Sequence, residues 1–210
     1  MQRSRQLAEI IVAFLSFAAP VALVRYTKTH MAFDPTALAT LQAIAFDVDG
    51  VLTDGTLTWS SITVEESKTF CFTDIMGISL LRRLNIKLGL ISGEPSPLVD
   101  RYAQKMHIPF VAKGTRDKAA AIRDFAATFD VPLVNTCFFG DDVNDLSAME
   151  IAGLCACPAN AAAEVLTFVS NCGFVSRQPG GRGAVREFAD AILAARGVNG
   201  RDVFQLRPPE

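Results

Sequence analysis

Apolar and polar positions alternate along the chain with two different periods from about Leu38 onward. Short apolar runs, typical of buried strands, are followed by longer segments in which apolar residues recur at helical spacing. This alternation predicts β–α units, a parallel sheet and one layered α/β domain. The predicted strands are 43–48, 88–92, 108–111, 135–140 and 153–157, and the predicted helices are 75–84, 96–106, 117–129, 145–152 and 160–168.

Two segments interrupt the alternation. Residues 54–74 are rich in Thr, Val, Trp and Phe around a polar centre, which predicts a β-hairpin projecting from the end of the first strand. Residues 178–197, at the start of a C-terminal tail of 178–210, run from a Gly-rich loop into an amphipathic helix. We expect these two segments to be the candidates for a lid, and we expect loss of the tail from Gly180 onward to affect turnover more than core stability.

Composition indicates a globular protein in a reducing compartment. The chain has 210 residues, half of them hydrophobic, and a formal net charge of −2, so residues 31–210 predict a single soluble domain and no nucleic-acid partner. The five cysteines are odd in number and lie mostly in apolar runs, as buried reduced thiols do. Packing in the core is favoured over a zinc site for Cys155 and Cys157, which have no companion cluster of ligands.

Residues 1–30 form an apolar extension that allows three interpretations. The apolar run from Ile10 to Val24 contains Pro20 and is shorter than the ~20 residues that usually span a bilayer. The segment is an upstream extension before a true start at Met31, a signal or anchor, or a helix that packs on another surface. A cytosolic substrate would disfavour export, so a cytoplasmic location without membrane association is expected.

Polar residues follow several of the predicted strands at the point where each strand ends. In an open parallel sheet, ligands bind beyond the carboxyl ends of the strands, so these side chains are expected to converge on one rim. Taken singly, Ser92 and Asp142 could be helix caps and Lys118 a solvated helix residue. The convergent set is Asp47, Asp49, Ser92, Gly93, Lys118, Asp141 and Asp142, with Asp145 one turn later.

Carboxylates packed together need a cation between them, because like charges at close range raise each other's pKa. Mg2+ suits a site with few carboxylates and several waters, and Asp47 and Asp141 are the best ligands by position. Such a cation could accept a phosphate oxygen while Lys118 and Ser92 hold the others. The set therefore predicts phosphoryl transfer.

The spacing of Asp47 and Asp49 predicts a division of labour. Residues i and i+2 of an extended chain face the same side, so both carboxylates can meet one phosphate. One would attack phosphorus to form an aspartyl-phosphate, and the other would protonate the leaving oxygen and later deprotonate water. Gly50 allows the backbone to turn away after the acids.

Four stretches resemble, in order and spacing, the motifs of the haloacid dehalogenase-like phosphatases: "DVDGVLTDG", "ISG", the lysine of "KGTRDK", and "GDDVND". The resemblance implies a Rossmann-like core with helices on both faces, and Mg2+. It implies Asp47 as nucleophile, Asp49 as acid and base and as a metal ligand through its carbonyl, and Ser92 as a phosphate ligand. It also implies that Lys118 steadies the phosphate, and that Asp141 binds the metal with support from Asp142.

A closer resemblance covers most of the chain from Met31 to Gly197. The "LTDG" continuation, a hairpin in place of a cap domain, "FTDIMGISLLRRL" and "GGRGAVREF" are similar to the 3-deoxy-D-manno-octulosonate 8-phosphate phosphatases. That family implies a sugar-acid phosphate substrate and a homotetramer in which hairpins associate and a neighbouring subunit closes the site.

One position departs from that family. Octulosonate phosphatases usually carry Arg after "ISG", whereas this chain has Glu94, with Lys105 further along the next helix. The pair resembles relatives that act on nonulosonate 9-phosphates, although Glu94 could also be only a helix first-turn acid. A 2-keto-3-deoxy sugar acid also needs a cation near its carboxylate, which Lys105, Arg182 or Arg186 could supply.

Other classes fit less well. A phosphomutase would normally need a cap domain larger than this hairpin. A non-catalytic partner of a cytidylyltransferase would not need both Asp47 and Asp49. Response-regulator receivers also cluster aspartates and a lysine on such a sheet, but they do not place the nucleophile on the first strand with an acid two residues later.

Overall fold

A computed structural model describes residues 33–63 and 65–208, so the predicted extension of residues 1–30 lies outside the described residues. The strands in chain order are β1 (Ala43–Phe46), β2 (Thr58–Trp59), β3 (Glu66–Ser67), β4 (Lys87–Ser92), β5 (Phe110–Lys113), β6 (Thr136–Phe139), β7 (Leu154–Cys157) and β8 (Phe174–Val175). The α-helices are α1 (Phe72–Arg83), α2 (Pro97–Met106), α3 (Lys118–Thr128), α4 (Leu146–Ile151), α5 (Ala163–Cys172), α6 (Ala184–Ala195) and α7 (Gly200–Gln205).

Six of the strands form one parallel sheet in the order β5-β4-β1-β6-β7-β8, which places β1 near its centre. The five strands and five helices predicted from periodicity are confirmed, with ends shifted by a few residues. Strand β8 was not predicted, because two residues are too short to show a period. In the described part of the chain, no helix combines the length and apolar character needed to cross a membrane.

The two faces of β1 pack against different groups of helices. Ile44 and Phe46 belong to the core beneath α1, α2 and α6, whereas Ala43 and Ala45 belong to the core beneath α3, α4 and α5. This follows from the alternation of side chains along a strand. On this second face β1 itself carries only the small side chains of Ala43 and Ala45. The predicted sheet with helices on both faces is therefore confirmed.

The predicted hairpin between residues 54 and 74 is also confirmed, as a small antiparallel pair formed by β2 and β3. Its tip exposes large apolar side chains, among them Trp59 and Ile62. The hairpin follows the loop after β1 and leads directly into α1, so it stands beside the carboxyl end of the central strand.

The C-terminal tail is part of the body of the domain, which contradicts the expectation that its loss from Gly180 onward would affect turnover more than core stability. Val185, Phe188 and Ile192 of α6 are fully buried in the core. The buried carboxylate of Asp74 in α1 accepts hydrogen bonds of 3.0 Å from the backbone N–H groups of Gly183 and Arg186 at the start of α6. Removing the tail would expose part of one face of the sheet and take these two donors away from Asp74.

Candidate active site

Asp47 lies directly beyond β1, near the middle of the sheet. Its backbone N–H donates to the carbonyl of Phe139 in β6 over 2.8 Å, which extends the sheet pairing by one residue and fixes the backbone there. Its side chain is 8% exposed, and its Oδ1 accepts from Lys118 Nζ at 2.9 Å. Because Lys118 is the first residue of α3, the helix start brings the ammonium to the end of β1.

Lys118 is shared with a second buried acid, Asp145. The ammonium donates to Asp145 Oδ1 at 2.5 Å, and both side chains are almost completely buried. The other carboxylate oxygen of Asp145 accepts from the backbone N–H groups of Asp141 (2.8 Å) and Asp142 (3.2 Å). Lys118 is therefore not a solvated helix residue, and Asp145 holds the loop after β6 in place.

Asp47, Asp141 and Asp145 form an acid cluster. One oxygen of each lies within 4.8 Å of the others. Asp141 Oδ1 is buried and has no hydrogen-bond partner, which is costly for a carboxylate unless a cation meets it. Gly50 makes room for it: its φ is +86°, and a Cβ there would lie 2.0 Å from Asp141 Oδ2. The donor set is all oxygen, so it fits a hard divalent cation such as Mg2+.

The shifted pKa values of the acid cluster also indicate a cation site. Burial and the nearby charge of Asp145 raise the pKa of Asp47 to about 7, although Lys118 opposes the rise. Burial and the neighbouring carboxylates, Asp47 foremost, raise the pKa of Asp141 to about 8. For Lys118, burial works to lower the pKa, but Asp47 and Asp145 outweigh it and raise the pKa overall. A bound cation would replace the protons that these acids otherwise retain.

Ser92 and Gly93 reach the same rim from β4. Ser92 is buried at the end of that strand, and its hydroxyl accepts from the backbone N–H of Glu94 at 3.1 Å. A Cβ on Gly93 would lie 3.8 Å from Asn144 Nδ2 in the loop after β6. The structure thus brings the "ISG" stretch next to the "GDDVND" stretch, as sequence analysis predicted.

Asp49 and Asp142 stand beside the cluster and face other partners. The Asp49 carboxylate is 31% exposed and is paired with Lys68, whose Nζ lies 2.8 Å from each of its oxygens. Asp142 is exposed and caps a short 3-10 turn, Val143–Asp145, by accepting from the backbone N–H of Val143 at 2.7 Å. The third acid of the cluster is therefore Asp145, to which sequence analysis assigned no role, rather than Asp142.

The residues predicted to select the substrate are spread over the surface. Glu94 is exposed and lines a cleft of about 470 Å3 beside the hairpin. Lys105 lies in the last turn of α2, roughly 12 Å along the helix from its start after the "ISG" stretch, so within one chain it is not brought to the rim. Arg182 donates to Asp54 at 3.1 Å.

Arg186 forms an ion pair with Asp190 one helical turn later, at 2.9 Å. Arg182 and Arg186 both line a cleft of about 710 Å3 between the tail and the start of α1, and that cleft includes none of the three clustered acids. A role for either arginine in binding the substrate carboxylate stays a prediction.

Two functional contacts were missed by sequence reasoning. Asp145 stands in the quoted "GDDVND" stretch, and its position three residues after Asp142, one turn beyond the end of the strand, was the signal that could have identified it. Lys68 had no local signal, because it lies 19 residues from its partner Asp49, in a hairpin whose docking cannot be read from a pattern.

Comparisons with known proteins identify relatives of this chain. A family model described as haloacid dehalogenase-like hydrolase matches residues 95–175. The chain is 34% identical over 160 residues to the 3-deoxy-D-manno-octulosonate 8-phosphate phosphatase of Haemophilus influenzae, covering 76% of this chain and 87% of that protein.

Solved structures of phosphatases with the same name are also similar to this chain. The phosphatase of that name from Yersinia pestis superposes with a TM-score of 0.74 at 30% identity, covering 83% of this chain and 90% of the other. The one from Moraxella catarrhalis, in complex with magnesium ion, phosphate ion and KDO, gives 0.73 at 30% identity, covering 78% and 91%.

Proposed function

We propose a function from the family of this chain, which belongs to the haloacid dehalogenase-like hydrolases, within the 3-deoxy-D-manno-octulosonate 8-phosphate phosphatase family. The proposed reaction is hydrolysis of the phosphate monoester of a 2-keto-3-deoxy sugar acid. The proposed substrate is 3-deoxy-D-manno-octulosonate 8-phosphate. The observation that carries the proposal is the cluster of Asp47, Asp141 and Asp145 around Lys118 at the carboxyl end of the central strand. This arrangement concentrates negative charge that a bound cation would neutralise, and such a cation could in turn accept an oxygen of an anionic phosphate ester.

Asp47 is the proposed nucleophile. Asp145 already accepts from Lys118 and from two backbone N–H groups, which leaves it a supporting role. Asp141 carries the unpartnered buried oxygen, which suits a metal ligand. Asp47 stands at the end of a rigid strand with one oxygen held by Lys118, so its carboxylate is oriented before a substrate arrives.

Mg2+ would be held by Asp47 and Asp141, with the backbone carbonyl of Asp49 as a further ligand. When bound, it would supply the positive charge that lets an anionic phosphate approach an anionic nucleophile. Lys118 adds a second, fixed positive charge in contact with Asp47 Oδ1. Ser92 and the backbone near Gly93 offer hydrogen-bond groups to the remaining phosphate oxygens.

Proton transfer is assigned to Asp49. In the first step, Asp47 forms a bond to phosphorus while the ester bond breaks, and Asp49 gives its proton to the leaving sugar oxygen. In the second step, Asp49 takes a proton from water, whose oxygen attacks the aspartyl-phosphate and releases phosphate and free Asp47. General acid catalysis of this kind contributes about 10^2 to 10^4 in rate, and positioning with charge stabilisation supplies the remainder.

A second substrate is favoured by one residue. Glu94 occupies the exposed position after "ISG", where the octulosonate phosphatases usually carry Arg, and the sequence there resembles relatives that act on nonulosonate 9-phosphates. The test is phosphate release from both substrates with Mg2+, measured as kcat/KM, beside an Asp47→Asn control. Preference for the octulosonate ester supports the main proposal, and preference for the nonulosonate ester supports the second. If neither is hydrolysed, both substrate proposals fail, and a non-catalytic role, for example as partner of a cytidylyltransferase, becomes the alternative to test.

Assembly into a homotetramer is proposed on separate grounds. The tip of the hairpin exposes Trp59 (75%) and Ile62 (93%), which are costly to leave in water and available for association of hairpins. Light scattering after gel filtration should report four chains, and Ile62→Lys should shift the protein towards smaller species. A monomer at micromolar concentration would contradict this part of the proposal.

A further inference from the structure

The segment after the hairpin tip lies on the domain with one face. Along residues 66–70, which we name the strap, Glu66, Lys68 and Phe70 are partly buried, whereas Ser67 and Thr69 are exposed. This alternation is that of an extended chain, in which every second side chain points the same way. The strap therefore presents three side chains to the body of the domain.

The two ends of the strap are anchored next to α2. The Ser96 hydroxyl, at the start of that helix, donates to the Glu66 carboxylate. At the other end, the Phe70 ring stacks on Tyr102, with centroids 4.2 Å apart and an interplanar angle of 16°. Tyr102 is buried, so this contact joins the strap to the hydrophobic core. Lys68, between the anchors, is held in a defined place.

At that place, Lys68 meets Asp49. Its Nζ lies 2.8 Å from both carboxylate oxygens, and its side chain is only 3% exposed while that of Asp49 is 31% exposed. A buried ammonium is costly without a partner, so the pair is kept rather than exchanged with water. With 31% of its side chain exposed, Asp49 remains accessible to a ligand at this end of the sheet.

Asp49 needs a side-chain contact to hold it, because strand pairing does not fix its backbone. It lies beyond the end of β1, and the next residue, Gly50, turns the chain away at a φ of +86°. Asp47 is held by the sheet and by Lys118 of α3, whereas Lys68 is the contact that reaches Asp49 from the hairpin. The two acids thus each have their own lysine, from different elements.

We propose that Lys68 is a positioning residue for proton transfer: it holds the Asp49 carboxylate towards the leaving-group oxygen, so that the hairpin of the same chain completes the catalytic arrangement. The inference rests on the proposed function, because it assumes that Asp49 is the acid and base. A positioning role predicts that loss of Lys68 slows only substrates whose leaving group needs a proton, whereas a purely structural role predicts that all substrates are slowed alike.

The test compares two leaving groups in Lys68→Met. A sugar phosphate releases an alkoxide, which must receive a proton, whereas p-nitrophenyl phosphate releases a stable phenolate that leaves without one. Single-turnover release is measured with enzyme in excess, which isolates the first step from hydrolysis of the aspartyl-phosphate. We expect release from the sugar phosphate to slow about tenfold to a hundredfold, and release of nitrophenolate to change by less than about threefold.

Two further variants complete the comparison. Lys68→Arg keeps the charge and should recover most of the lost rate with the sugar phosphate. Lys87→Met is the control. Lys87 lies at the start of β4, and its Nζ donates an exposed hydrogen bond to Asn85 Oδ1. It should match the wild-type protein on both substrates.

The outcomes separate the two proposals. Equal losses on both substrates, or no loss on either, would overturn the role of Lys68 while an active, Asp47-dependent wild-type enzyme kept the proposed function. A wild-type protein without activity on any phosphate ester would remove both.

Discussion

Replacing Lys118 with Met removes the only positive charge that the structure places among the three clustered acids of the described chain. The side chain is 2% exposed and forms ion pairs of 2.9 Å with Asp47 and 2.5 Å with Asp145. Met fills a similar volume, so the change removes charge with little loss of packing. Two buried carboxylates would then lie side by side without a counter-ion.

The size of the effect follows from those distances. At an effective dielectric constant of about 20, each unit-charge pair at about 3 Å attracts by roughly 5 to 6 kcal/mol, and the cost of taking the ammonium out of water offsets a large part. Breaking a buried pair from one side usually costs about 3 to 5 kcal/mol. For a domain of this size, that corresponds to a Tm lower by roughly 6 to 20 °C.

The loss of stability in Lys118→Met should also depend on pH, in one direction. Without Lys118, the folded-state pKa of Asp47 rises further above its unfolded value, so the folded protein binds more protons than the unfolded one over a wider range. Stability then falls as pH rises through the folded pKa and is recovered as pH falls. The difference between variant and wild type is therefore largest near pH 8 and smallest near pH 5.

The assay is urea unfolding at pH 8 and pH 5 without Mg2+, with Lys87→Met as a matched control. We expect a lower midpoint at an unchanged m-value for Lys118→Met, and almost no change for the control. A decrease of less than about 1 kcal/mol in the free energy of unfolding at pH 8 would be the size expected for an exposed ion pair. It would refute the assignment of Lys118 as the buried counter-ion of the acids.

Three other predictions concern the same site and its support. Asp47→Asn should abolish phosphate release yet keep or slightly raise Tm, because burial already disfavours the charge of Asp47; retained turnover with Mg2+ would contradict the covalent mechanism. The rise in Tm caused by Mg2+ should grow from pH 6 to pH 8.5, because protons compete with the cation at carboxylates whose pKa values are raised to about 7 and, for Asp141, about 8; a flat profile in thermal-shift measurements would argue against these ligands. Gly180→Ala should unfold at lower temperature and lose activity, because a Cβ there would lie 1.7 Å from the carbonyl oxygen of Gly50 in the loop after β1; wild-type behaviour in both assays would show that this close approach is not required.

Much of the fold could be predicted because its signals are local. A buried strand such as Ala43–Phe46 is continuously apolar, and helices such as Lys118–Thr128 repeat apolar residues at helical spacing. The tail was misjudged for the complementary reason. A Gly-rich loop followed by an amphipathic helix is compatible with a mobile lid or with a packed helix. The burial of α6 in the core and the contacts of Asp74 with its start decide between them.

The candidate site divides in the same way. Asp47, Ser92, Lys118 and Asp141 each follow a strand or open a helix, so the rule that parallel strands end at one edge was enough to group them. The positions of Glu94, Lys105 and Arg182 relative to that group depend on helix lengths and loop paths, which no short pattern encodes. The structure leaves Glu94 near the rim and carries Lys105 away along α2.

The sequence by itself determined that an α/β sheet ends in two carboxylates with a lysine and a third acid nearby, because residue type and strand order are properties of the chain. Only the tertiary structure decided which partner each acid has. Asp145 shares Lys118 with Asp47, and Asp49 pairs with Lys68 across 19 residues. Such pairings depend on burial and on distances of a few ångströms between distant segments, and these exist only once the chain has folded.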